Sequence, residues 1–105
     1  IKRSSKDIDI LKVRDIVYKS SNKKFSIEDV EIDLTHLEHD LLLEFIKNKD
    51  ILMTREHLLN SVWQDSFDKK IKTVNVAIKR LKAKIDPDGK KEYIRSIRGE
   101  GYIFC

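Results

Sequence analysis

At 105 residues, with 40% hydrophobic and 38% charged residues, three glycines and one proline, the chain is sized and composed as one folded domain. That balance excludes a disordered or low-complexity segment. No apolar run approaches the roughly 18 residues of a membrane span, and the opening residues do not have a signal-peptide pattern. The single Cys105 excludes an internal disulfide, so a reducing cytoplasm is the expected compartment.

Ile1 in place of methionine predicts a piece of a longer protein. Residues 1–7, with Lys2, Arg3, Ser4, Ser5 and Lys6, read as the remnant of an interdomain linker, leaving 8–105 as the domain. Short period-two runs follow: Ile8/Ile10, Phe25/Ile27, and Val30/Ile32/Leu34 with Glu31 and Asp33 between. These predict half-buried antiparallel strands, with turns at Asp15, Ser20-Ser21-Asn22 and Glu28-Asp29. At Thr35 the period changes. Thr35-His36-Leu37-Glu38 has the form of a capping box, and Leu37, Leu41, Leu42, Phe45 and Ile46 carry a helix to about Asn48. Ile51-Leu52-Met53 is too short for a helix and reads as an isolated strand crossing. Thr54 caps a second helix with Glu56 in its first turn and a buried stripe of Leu58, Leu59, Val62 and Trp63. A polar loop, Gln64 to Lys70, leads to a third helix over Lys69 to Ile85, stopped by Asp86-Pro87-Asp88-Gly89. Tyr93 to Phe104 reads as two strands around Arg98-Gly99-Glu100-Gly101.

Charge singles out the third helix. The whole chain is only +4, yet Lys69 to Arg98 holds eleven basic residues against Asp86, Asp88 and Glu92, a net of +8 that leaves −4 elsewhere. At 100° per residue, Ile71, Val74, Ile78, Leu81 and Ile85 share one sector, with Ala77 at its edge. Opposite lie Lys69, Lys72, Thr73, Val76, Lys79, Arg80 and Ala83, flanked by Asn75, Lys82 and Lys84. A solvated helix face ordinarily mixes signs. This one carries no carboxylate, so it repels itself unless an anion lies against it. A DNA major groove admits a helix and is rimmed by phosphates, and small apolar groups such as Val76 and Ala83 suit a thymine methyl. The deep, narrow groove of A-form RNA does not admit a helix. Arg98, at the tip of a narrow hairpin, suits a minor groove.

Taken together, Asp33-Leu34-Thr35, Thr54-Arg55-Glu56-His57-Leu58-Leu59, Val62-Trp63, Thr73-Val74-Asn75-Val76, Ile78-Lys79-Arg80-Leu81 and Ile94 to Tyr102 resemble the OmpR/PhoB winged-helix domain, the effector half of bacterial two-component response regulators. The resemblance covers nearly the whole chain. It implies an α+β winged helix-turn-helix: an N-terminal antiparallel sheet, three helices and a C-terminal hairpin wing. It further implies that Val76 and Arg80 face bases, and that Arg55, Trp63, Lys72, Thr73, Lys79 and Lys82 hold the DNA backbone. Ser96 and Arg98 then reach the minor groove, and Gln64, Asp65, Ser66, Phe67 and Asp68 form a loop for RNA polymerase. The implied partners are duplex DNA with two half-sites, arranged as direct repeats, RNA polymerase and an N-terminal receiver domain. The chain departs from the family at Ala77, in place of a common histidine, at Asn75, in place of aspartate, and at Gln64, in place of glycine. Lysines at 72, 79 and 82 keep charge without a bidentate fork, which suits phosphates better than bases.

Other chemistries lack the residues they need. His36 and His39, with Asp40 beside them, suggest a pair at i, i+3 without the further ligands that zinc needs, and no nucleophile–base order or glycine-rich phosphate loop appears, so neither metal, cofactor nor enzymatic activity is expected. The alternative function is a winged helix used as a protein-interaction module, which predicts a mixed or apolar outer face on the third helix.

Overall fold

A computed structural model describes residues 10–63 and 71–105, with the side chains of Ile71 and Lys72 left out. Four strands open it: β1 (Ile10–Val13), β2 (Ile16–Lys19), β3 (Lys24–Ile27) and β4 (Val30–Ile32). Three helices follow, α1 (His36–Lys47), α2 (Arg55–Val62) and α3 (Ile71–Ile85), and then the hairpin β5 (Ile94–Ile97) and β6 (Gly101–Phe104). This is the expected winged helix-turn-helix order. The expected linker at residues 1–7, the start of the strand at Ile8, and the loop Gln64 to Lys70 lie outside the described residues.

The chain divides into two compact units between Asp33 and Leu34. In the first, β1-β2-β3-β4 form an antiparallel meander. Register puts Val13 opposite Ile16, Leu11 opposite Tyr18, Tyr18 opposite Phe25 and Phe25 opposite Ile32. Because directly paired residues share a face, Leu11, Val13, Ile16, Tyr18, Phe25, Ile27 and Ile32 collect on one side of the sheet, and Lys12, Lys19, Lys24 and Glu31, with Ile10 and Val17 among them, on the other. Tyr18 and Phe25 lie with ring centroids 4.4 Å apart. Ile16, Tyr18 and Phe25 are buried, whereas Val30 on the edge strand β4 is 67% exposed. The half-buried alternation expected at Val30 therefore fails: an edge strand has a neighbour on one side only. The turns fall as expected, with Glu28 and Asp29 both at positive φ (50° and 68°).

In the second unit α1 and α2 start where the sequence places their caps. Thr35 Oγ1 accepts from the Glu38 amide at 3.2 Å, and Glu38 Oε1 accepts from the Thr35 amide at 2.9 Å, completing the capping box. Thr54 Oγ1 accepts from the His57 amide at 3.0 Å. Leu41, Leu42, Phe45, Ile46, Leu58, Leu59, Trp63, Val74, Ile78, Leu81 and Ile85 are buried, as the stripes read from periodicity require, whereas Leu37 and Val62 are only half-buried. The hairpin adds Tyr93 and Phe104, whose rings stack at 6.0 Å, and Phe104 meets Phe45 of α1 at 6.5 Å.

Met53 makes the expected isolated crossing. It pairs with Tyr102 of β6 through reciprocal backbone hydrogen bonds of 2.8 and 2.9 Å, so the segment between α1 and α2 is tied to the hairpin. This approach requires Gly101. At φ +152° it has no side chain, and a Cβ there would collide with the Met53 carbonyl.

Candidate nucleic-acid interface

The helix α3 is positioned by its own stripe. Val74, Ala77, Ile78, Leu81 and Ile85 are all buried, which aims the opposite face at solvent. On that face Val76, Lys79, Arg80 and Ala83 are exposed, and Thr73 and Lys82 are half-buried. Val76 is 43% exposed, an apolar group left in water among cations. No acidic residue interrupts the helix from Ile71 to Ile85.

Not every lysine of the helix belongs to this face. Lys84 Nζ donates to Glu38 Oε1 at 2.6 Å, linking α3 to the cap of α1. Burial alone pushes the Glu38 carboxyl up. The Lys84 ammonium and the Thr35 amide outweigh it and hold the group below its ordinary value. Sequence reading placed Lys84 beside the outer face and gave it no partner, because Glu38 lies 46 residues away in sequence.

The connection to the hairpin is also ordered. The Asp86 amide donates to the Lys82 carbonyl at 2.8 Å, and the Asp86 carboxylate accepts from the amides of Lys91 (3.3 Å) and Glu92 (2.9 Å). The turn Ile97-Arg98-Gly99-Glu100 closes with the Glu100 amide donating to the Ile97 carbonyl at 2.9 Å. Gly99 at φ +75° occupies the third turn position, which needs positive φ as in a type II turn. Arg98 is thereby presented, exposed, at the tip.

Between α3 and the hairpin runs a groove lined by Asn75, Ile78, Lys79, Lys82, Ser96 and Tyr102. A second, larger one continues past Lys79, Lys82 and Ala83 to Arg95, Ser96 and Ile97. The structure thus brings Lys79, Lys82 and Ser96 to one surface. Val76 and Arg80 stand exposed on the same helix. Arg55, at the first turn of α2, reaches α3: its Nε donates to Asn75 Oδ1 at 3.0 Å. Its guanidinium carbon sits 5.2 Å from the centre of the Tyr102 ring, a cation–π contact. Trp63 is only 6% exposed and is chiefly a core residue. The Lys72 side chain and Gln64, Asp65, Ser66, Phe67 and Asp68 lie outside the described residues. The Asn75 contact was missed from the sequence, which shows Asn75 only as a polar residue flanking the cationic face.

Among the described residues no group of His, Cys, Asp and Glu is arranged to hold a metal ion, and no helix is long and apolar enough to cross a membrane. His36 and His39 instead both contact Asp40, at 3.2 and 2.9 Å.

Residues 29–104 match the family model described as "Transcriptional regulatory protein, C terminal". Response regulator ArlR of Staphylococcus aureus is 35% identical over 95 residues, a match covering 90% of this chain and 43% of ArlR. The chain therefore spans less than half the length of the curated relatives it matches. Among solved structures, response regulator DrrB of Thermotoga maritima, described as an OmpR/PhoB homolog, superposes with a TM-score of 0.79 at 27% identity, over 98% of this chain and 48% of DrrB. The RstA DNA-binding domain of Klebsiella pneumoniae, solved with its RstA box, gives 0.79 at 24% identity over 91% of this chain and 96% of that one, which establishes likeness of fold.

Proposed function

The chain belongs to the C-terminal domain family of transcriptional regulatory proteins, the OmpR/PhoB-type effector domains of response regulators, and we propose that it binds duplex DNA by sequence as the output half of a two-component regulator. The observation that carries this reading is the outer face of α3. Val76, Lys79, Arg80 and Ala83 stand exposed, no carboxylate lies between them, and a fully buried stripe behind them fixes their direction. A surface built to hold a protein partner has no need of a helix face of one sign, whereas phosphates on both rims of a major groove reward one.

In this reading α3 lies in the major groove. Arg80 and Val76 meet bases; Lys72, Thr73, Lys79 and Lys82 meet the backbone. Arg55 adds a backbone contact from the first turn of α2, Trp63 another from its C-terminal end, and Arg98 with Ser96 enters the adjoining minor groove. The loop of Gln64, Asp65, Ser66, Phe67 and Asp68 touches RNA polymerase, and a receiver domain in the full-length cytoplasmic protein controls assembly on DNA.

Fluorescence anisotropy of a labelled duplex at several salt concentrations tests the DNA reading. Several lysine–phosphate contacts predict a steep linear fall of log K with log salt, at about 0.9 per phosphate neutralised. A flat response, or no binding to any duplex, contradicts it and favours the protein-interaction module.

A further inference from the structure

Asn75 sits where three elements meet. Its Oδ1 accepts from Arg55 Nε of α2 at 3.0 Å and from the Tyr102 hydroxyl of β6 at 2.6 Å. Arginine nitrogens cannot accept a hydrogen bond, so the atom facing Arg55 must be the amide oxygen, and the orientation of the side chain is fixed by chemistry. A carbonyl oxygen has two lone pairs, and both are engaged. Asn75 is exposed on α3, but it cannot read adenine in the usual way, because that pairing needs Oδ1 to accept from N6 while Nδ2 donates to N7.

The Arg55 guanidinium is held on two sides, by the amide through Nε and by the Tyr102 ring beneath it at 5.2 Å. Both partners are neutral. The guanidinium therefore keeps its full charge, its two terminal nitrogens remain available as donors, and the planar fork is pre-oriented at low entropic cost. Tyr102 is itself fixed, since it is buried and its backbone pairs with Met53 immediately before the α2 cap.

We propose that Asn75 is a positioning residue that aims the Arg55 guanidinium as a backbone-phosphate clamp and couples the α2 contact to the recognition helix and wing. The proposal rests on the DNA reading above. Any contact Asn75 makes with DNA is donor-only, through Nδ2, and is suited to a phosphate oxygen or to a purine N7.

A double-mutant cycle on a labelled mixed-sequence duplex, read by anisotropy across salt concentrations, tests this, with thermal melting as the folding control. Asn75→Ala weakens binding about three- to tenfold in the wild-type background and has little further effect once Arg55 is alanine, because both changes remove the same contact. Asn75→Asp is isosteric and keeps both hydrogen bonds and the melting temperature, but it neutralises Arg55. Binding weakens and the salt slope becomes shallower by about one charge. Arg55→Lys does not restore binding, since lysine has no second nitrogen to hold Asn75 while reaching a phosphate. If wild type binds the duplex and Asn75→Ala costs the same with and without Arg55, or costs nothing, the positioning role is wrong while the DNA reading stands. If wild type binds no duplex, both fall.

Discussion

Arg80 differs from every other cation on α3 because it alone carries a guanidinium. Its fork can bond O6 and N7 of one guanine together, whereas Lys79 and Lys82 offer point charges that suit phosphates. It is exposed on the same face as Val76, one turn away. Arg80→Ala is expected to cost about 1–3 kcal/mol on a preferred site and to relax preference at one base pair. Arg80→Lys should retain most non-specific affinity and still lose discrimination. Competition anisotropy with matched and mismatched duplexes separates the two effects. Equal losses on specific and random DNA from Arg80→Ala contradict base reading and make Arg80 another clamp.

At the scale of elements, two contacts tie the helices and the hairpin together. The first is the Glu38–Lys84 pair between the start of α1 and the end of α3. Because the folded state holds the Glu38 carboxyl below its ordinary value, the unfolded chain takes up a proton more readily. The stabilisation is present in full above the unfolded carboxyl's range and is lost as pH falls through the folded value. Glu38→Gln keeps an acceptor for the Thr35 amide and loses the charge. It should destabilise the domain by about 1 kcal/mol at neutral pH, a small figure because Lys84 is partly in water. The gap between variant and wild-type melting temperatures should narrow in acid; a gap that persists unchanged at low pH contradicts the pairing. The second contact is the close approach of Gly101 to Met53. Gly101→Ala forces the two backbones apart and should cost about 3 kcal/mol or more. Chemical denaturation measures this, and a variant as stable as wild type refutes the required contact.

Local rules made much of this architecture legible. The Thr35–Glu38 box lies within four residues, and the stripes of α1, α2 and α3 repeat every helical turn, so caps and buried faces follow from residue order alone. Strand β2 was not legible: Val17 between Ile16 and Tyr18 breaks the alternation that marks a half-buried strand. Val30 satisfied the pattern and is nevertheless exposed, because position in the sheet, not period, decides its burial. Of the candidate interface, the cationic face was readable from spacing. Its supports were not. Arg55 and Tyr102 reach Asn75 from 20 and 27 residues away, and Lys84 reaches Glu38 from 46, distances over which only the folded chain specifies partners.

For the whole molecule, the apolar side chains described in the three helices are buried or half-buried apart from Val76 and Ala83, and among the described residues no heptad seam is left over to pair two copies. The proposed DNA reading therefore predicts a free domain that is monomeric and a bound state in which two copies occupy neighbouring sites. Sedimentation with and without a two-site duplex checks this, and a stable dimer without DNA contradicts it. The central claim is that α3 reads sequence, and selection of bound duplexes from a random pool tests it most directly. The account predicts enrichment of a motif of two half-sites in direct repeat, about 10 base pairs centre to centre, one helical turn of DNA. A pool that emerges without any enriched sequence contradicts it.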